Sequence, residues 1–247
     1  MTADWLVARP IAHRGLHDRS REIVENSLSA ARAALARGFA IECDVQLTRD
    51  GEAVVFHDAT LERLTGASGA IAERTLAELS AVRLAGGADA IPTLSQLLTL
   101  IGGAVPLVCE IKGGFYGDLR LADRVAEVAA TYAGPLAIKS FDPAPIAHLR
   151  ARGTPRPLGI VAEASYDDPY FDAMSVEQKR DCAAFQHIED TQPDFLSWRV
   201  NDLPHSTPTL IRALGRRPVM AWTVRTPAQK QLARAYVDQI VFEGEPD

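Results

Sequence analysis

Short apolar runs with β-type composition alternate with helically spaced segments along most of this chain, and this alternation constrains the fold more than any other feature. Nine runs read as strands: residues 10–13, 39–46, 53–57, 105–112, 135–140, 158–162, 194–198, 218–224 and 238–242. Helical segments are expected from Asn26 or Ser27, either of which can cap, to Arg37, where Gly38 ends the run. Further helices are expected over 93–101, 118–132, 143–151, 175 to about 187, 207–214 and 226–236. Eight parallel strands with helices between them close a (β/α)8 TIM barrel, and 247 residues is near the usual length of about 250. The run at 53–57 is left over as an extra β-hairpin arm. Residues 59–90 are turn-rich at Thr65-Gly66-Ala67-Ser68-Gly69, with helical spacing over 74–83, and read as a small insertion. The expectation is a single domain over 1–247.

The strand ends carry the chemistry. Glu42 and Asp44 are two residues apart on a strand and therefore project from one face. Asp50-Gly51 is a strong hairpin signal, and a two-residue turn there sets Asp44 opposite His57. Two acids, a histidine beside them and the strand end His13-Arg14-Gly15 make a site for a divalent cation and a phosphate. Glu110 and Lys112 repeat the same spacing in a strand otherwise made of Val, Leu, Cys and Ile. A charge there is costly unless it is paired or metal-bound, so the two either form an internal ion pair or join the site.

His13 and His57 are the acid–base candidates: histidine as a residue type titrates near neutral pH, so one of the two can hold a proton while the other accepts one. A lone histidine at a strand end is more often structural; two at one site favour acid–base work. Arg14 and Lys112 offer positive charge to a phosphodiester oxygen, with a bridge to a neighbouring carboxylate as the plainer role for Arg14. Trp222 ends a strand and either packs in the core or faces the mouth, where Phe115, Tyr116 and Phe141 are further wall candidates. His17, His148, His187 and His205 fall on loops or helices and read as ordinary surface residues.

A formal net charge of −6 with no basic run argues against nucleic acid as a partner. Cys43, Cys109 and Cys182 are too few, and odd in number, for a disulfide framework; Cys43 and Cys109 read as buried thiols on the face away from the acids. No apolar run is long enough to span a bilayer, and Met1-Thr2-Ala3-Asp4-Trp5 shows no signal-peptide pattern. The expectation is a cytoplasmic protein without a membrane partner, acting on a small molecule; nothing in the sequence sets an oligomeric state.

His13-Arg14-Gly15, Glu25-Asn26-Ser27, Glu42-Cys43-Asp44-Val45, Thr48-Arg49-Asp50-Gly51 and His57-Asp58 together resemble the signature of glycerophosphodiester phosphodiesterases. The likeness continues through Ile91-Pro92-Thr93-Leu94, Glu110-Ile111-Lys112, Ser140-Phe141-Asp142 and Trp222-Thr223-Val224. The resemblance implies that Glu110 joins Glu42 and Asp44 as metal ligand, that His13 and His57 are the acid–base pair, and that Trp222 lines the substrate pocket. Three carboxylates without a grouped soft ligand suit a hard ion, Mg2+ or Ca2+. It further implies a small-molecule phosphodiester substrate, giving glycerol 3-phosphate and an alcohol such as choline or ethanolamine. Two alternatives stay open: a phospholipase D or sphingomyelinase D-type lipid phosphodiesterase, and a non-catalytic barrel that binds phosphorylated ligands. Ser27 stands where the family has threonine, and Phe242-Glu243-Gly244-Glu245-Pro246 replaces its usual Thr-Asp before a proline.

Overall fold

A computed structural model describes residues 4–246, so the N-terminal reading rests in part on residues 1–3, which lie outside the described residues. The strands are β1 (Ile11–Ala12), β2 (Ala40–Leu47), β3 (Ala53–Val55), β4 (Leu107–Ile111), β5 (Leu136–Ser140), β6 (Leu158–Ala162), β7 (Phe195–Arg199), β8 (Val219–Val224) and β9 (Gln239–Phe242). Their order in the sheet is β1-β9-β8-β7-β6-β5-β4-β2-β3, and β1 also pairs with β2. The fold is a closed (β/α)8 barrel with β3 bonded outside it as the extra strand. Among the described residues no helix is long and apolar enough to cross a membrane. The chain divides into two compact units.

The unit of residues 11–112 and 120–136 carries β1 to β4. Its helices are α1 (Leu28–Ala36), α2 (Leu76–Ser80), α3 (Leu94–Ile101) and α4 (Arg120–Ala130). Ser27, not Asn26, caps α1: its Oγ accepts from the Ala30 N–H at 3.0 Å. Thr75 and Thr93 start α2 and α3 with reciprocal capping boxes. Helix α3 buries Leu94, Leu97, Leu98 and Ile101, an i, i+3, i+4, i+7 stripe. In the 59–90 segment Leu61, Leu64, Ile71, Leu79 and Leu84 close over Val54 and Phe56 as one apolar cluster, which gives this irregular stretch a fixed course.

The hairpin register departs from expectation. Val45 faces Val55 and Leu47 faces Ala53, so Phe56, not His57, stands opposite Asp44. The cause is a three-residue loop, 49–51, closed by a hydrogen bond from the Thr48 N–H to the Glu52 carbonyl at 2.9 Å, with Gly51 at φ +85°. One extra loop residue shifts the pairing by one. His57 therefore lies beyond the end of β3, where Gln46 Nε2 donates to its carbonyl at 2.9 Å.

The unit of residues 4–10, 113–119 and 137–246 carries nearly all of β5 and then β6 to β9. Its helices are α5 (Pro143–Ala151), α6 (Val176–Ala183), α7 (Ile188–Thr191), α8 (Ser206–Ala213) and α9 (Pro227–Tyr236). The helix expected to reach about residue 187 stops at Ala183, because buried Phe185 takes φ +56° and breaks the run. Asp194 and Asp238 each accept a strand's first N–H, from Leu158 at 2.8 Å and Val219 at 2.9 Å, and each pairs with a helix arginine, Arg150 or Arg212.

Candidate metal and acid–base site

Glu42 and Asp44 lie on β2, and Glu110 stands beside Asp44 in register on β4. Their exposures are 0%, 1% and 4%, which removes the reading of Glu42 and Asp44 as a solvated strand end. One carboxylate oxygen from each lies within 4.8 Å of the others. Metal–oxygen distances of about 2.0–2.6 Å let opposite ligands of one hard ion stand about 4–5 Å apart, so the donor set and its spread fit a divalent cation. Lys112 follows β4, and its Nζ lies 2.8 Å from Asp44 Oδ1 and 2.5 Å from Glu110 Oε1. The internal ion pair and the acid cluster, opposed in the sequence reading, are thus parts of one arrangement.

The turn after β1 aims His13 and Arg14. Arg14 and Gly15 both take left-handed φ, +58° and +78°. The Arg14 N–H donates to Glu42 Oε2 at 3.0 Å, and the Gly15 N–H reaches the Ala12 and Glu42 carbonyls at 3.2 Å. A Cβ on Gly15 would stand 2.8 Å from Ala30 Cβ and 2.9 Å from the Ala30 carbonyl carbon. Gly15→Ala is therefore expected to destabilise the fold by about 1–3 kcal/mol, read as a lowered denaturation midpoint. Unchanged stability would show that the β1–α1 contact gives way.

His13 Nε2 lies 4.0 Å from Glu42 Oε2. Burial alone would raise the Asp44 pKa, but Lys112 and Arg14, and then His57 and His13, hold it well below the usual carboxylate range. Arg14 Nε sits 3.2 Å from Asp44 Oδ2 and its NH1 donates to Glu25 Oε1 at 2.6 Å. Burial alone would lower the Arg14 pKa, yet Asp44, Glu25 and Glu42 raise it overall. The carboxylate bridge of the sequence reading is present.

Three partners were missed or misplaced by sequence reasoning. Asn26, at φ +55°, is an Asp44 clamp instead of a cap: Nδ2 donates to Asp44 Oδ2 at 2.9 Å, and Oδ1 accepts from the Asp44 N–H at 3.2 Å. Asp58 Oδ1 meets His57 Nδ1 at 2.6 Å. Arg63, from the 59–90 segment, reaches both Asp58 and Glu25. Burial pushes the Glu25 carboxyl up, but Arg63 and Arg14 prevail and hold it at about 2.

In the other unit, Trp222 is half-buried on β8; its Nε1 donates to the Ser197 carbonyl at 3.1 Å and its ring meets Phe141 edge-on at 5.2 Å. Phe115 and Phe141 pack against the Tyr166–Phe171 cluster, whereas Tyr116 is 77% exposed. Glu243, in the divergent tail, pairs with Arg225 through both oxygens. Two histidines are not ordinary surface groups. His205 Nδ1 accepts from the Thr207 N–H to cap α8 and its ring stacks on Trp198, and burial pushes the His187 imidazole down to about 4.

The sequence profile of the Glycerophosphoryl diester phosphodiesterase family matches residues 13–243. A glycerophosphodiester phosphodiesterase of Caldanaerobacter subterraneus is 30% identical over 179 residues, covering 68% of this chain and 72% of that protein. Among solved structures, an Oleispira antarctica phosphodiesterase in complex with its product sn-glycerol-3-phosphate superposes with TM-score 0.79 at 24% identity, covering 98% of this chain and 95% of the other. A Thermotoga maritima glycerophosphodiester phosphodiesterase gives TM-score 0.69 at 24% identity, with 94% and 92% covered. At that identity the two structures speak for the fold alone.

Proposed function

The chain belongs to the glycerophosphoryl diester phosphodiesterase family, and we propose that it hydrolyses small glycerophosphodiesters to glycerol 3-phosphate and an alcohol. The observation that carries this reading is the convergence of three buried carboxylates from two adjacent strands, with the His13 imidazole 4.0 Å from one of them. Product binding by the Oleispira antarctica relative agrees with it. Glu42, Asp44 and Glu110 would hold Mg2+ or Ca2+, and a bound divalent cation polarises the phosphoryl group and offsets its charge. Arg14 and Lys112 supply fixed positive charge toward the non-bridging phosphate oxygens. One of His13 and His57 takes the proton from the attacking hydroxyl, whether of water or of the neighbouring glycerol carbon through a cyclic phosphate. The other gives its proton to the leaving alkoxide. Trp222 is assigned to substrate binding. Residues 1–247 are taken as one catalytic domain with an insertion at 59–90, in keeping with the family match. The three free, buried cysteines support a cytoplasmic location.

Glycerol 3-phosphate released from glycerophosphocholine and glycerophosphoethanolamine tests the reading. Turnover is expected to vanish in EDTA and to return with Mg2+ or Ca2+. Hydrolysis that ignores the chelator, or none with either substrate, would overturn it.

A further inference from the structure

The 59–90 segment brings a guanidinium to this cluster that the mechanism above does not use. Arg63 Nε donates to Asp58 Oδ2 at 2.6 Å and its NH2 to Asp58 Oδ1 at 2.9 Å. The same fork donates to Glu25, NH1 to Oε2 at 2.9 Å and NH2 to Oε1 at 2.8 Å. Each carboxylate then holds a group of the mechanism. Asp58 Oδ1 meets His57 Nδ1 at 2.6 Å, and Glu25 Oε1 takes the Arg14 NH1 at 2.6 Å.

We propose that Arg63 is a positioning residue: by clamping Asp58 and Glu25 with one planar fork, it sets His57 in its Nδ1–H tautomer and holds the Arg14 guanidinium in place. The inference rests on the function proposed above and extends the site into the insertion. An ionised carboxylate only accepts hydrogen bonds, so a neutral His57 facing Asp58 must carry its proton on Nδ1, which leaves Nε2 to exchange protons. Asp58 can impose that choice only while its own orientation is held, and its side chain is 22% exposed. Arg63 holds it through both oxygens, a geometry that an ammonium cannot reproduce. Exposed ion pairs of one arginine and one carboxylate contribute little, but this arginine is 41% exposed and still engages two carboxylates bidentately. Its backbone neighbours Leu61 and Leu64 are buried at 1% and 4% in the apolar cluster, so the fork is presented by a packed segment.

Histidine-specific 15N spectra at alkaline pH test this, with the His57 signals assigned by their loss in His57→Gln. The wild-type protein is expected to show the Nδ1–H tautomer, and Arg63→Met a mixture of both. With Mg2+ and glycerophosphocholine, kcat of Arg63→Met is expected to fall about 10–100-fold, with Arg63→Lys in between. A merely structural ion pair would lower the melting temperature while leaving tautomer and kcat alone, and that result overturns the proposal. If Arg63→Met does not fold, Arg63→Lys decides: a mixture of tautomers supports the proposal, and the wild-type Nδ1–H form with unchanged kcat overturns it. If the wild-type protein hydrolyses no glycerophosphodiester, the function falls, yet the spectra still decide whether Arg63 sets the ring.

Discussion

His57→Ala and His13→Ala are each expected to lower kcat on glycerophosphocholine by about 10²–10⁴-fold, with a smaller change in KM. The basis is placement. His13 Nε2 stands 4.0 Å from Glu42 Oε2, and Asp58 Oδ1 occupies His57 Nδ1. An imidazole there can take or give a proton at the reacting oxygen, and alanine can do neither. The two roles separate by leaving group. A p-nitrophenyl ester departs without protonation, so it is expected to restore much of the rate in the variant that lacks the acid and little in the variant that lacks the base. The double variant is expected to lose less than the product of the single losses, because one transition state uses both groups. Wild-type-like turnover in both single variants would remove the acid–base assignment and leave the rings as counter-charges to the acids.

Lys112→Met carries the largest expected effect on stability. Its ammonium lies 7% exposed between Asp44 and Glu110, and removing it leaves buried carboxylates short of a counter-charge. Breaking a buried ion pair from one side costs about 3–5 kcal/mol. For a chain of this size each kcal/mol shifts the melting temperature by about 2–4 °C. A divalent cation that binds only the folded state adds about 2.7 kcal/mol at 100 times its dissociation constant. Melting curves in EDTA and in Mg2+ or Ca2+ are therefore expected to differ more in the variant than in the wild-type protein, since the cation supplies charge that the lysine no longer does. An equal shift in both would separate Lys112 from the cation site.

What the chain revealed in advance follows from the range of the forces involved. Strand alternation is local, so the shared face of Glu42 and Asp44 and the spacing of Glu110 and Lys112 were legible from two-residue intervals, as was the run of strands and helices behind the barrel. The hairpin register was not, because it turns on whether Gly51 closes a two- or three-residue loop, and that choice depends on one backbone dihedral. Asn26 misled because its side chain suits a cap as well as an acid clamp; the left-handed backbone there removes it from the cap position. Arg63 was invisible for a different reason. It sits in a stretch with no periodicity, and its partners lie 5 and 38 residues away. The early end of helix α6 was not legible either, because the residue that breaks it is the buried, left-handed Phe185, with no glycine or proline to mark the place.

Cys43 and Cys109 stand side by side in register, directly behind the acids and buried at 1% and 0%. Their mutual hydrogen bond, and burial after it, push the Cys43 thiol well above its usual range. The pleat turns both sulfurs away from the carboxylates, although each is bonded in sequence to an acid neighbour. The acid cluster therefore offers a cation carboxylate oxygens and no thiolate, although two cysteines adjoin its ligands in the chain.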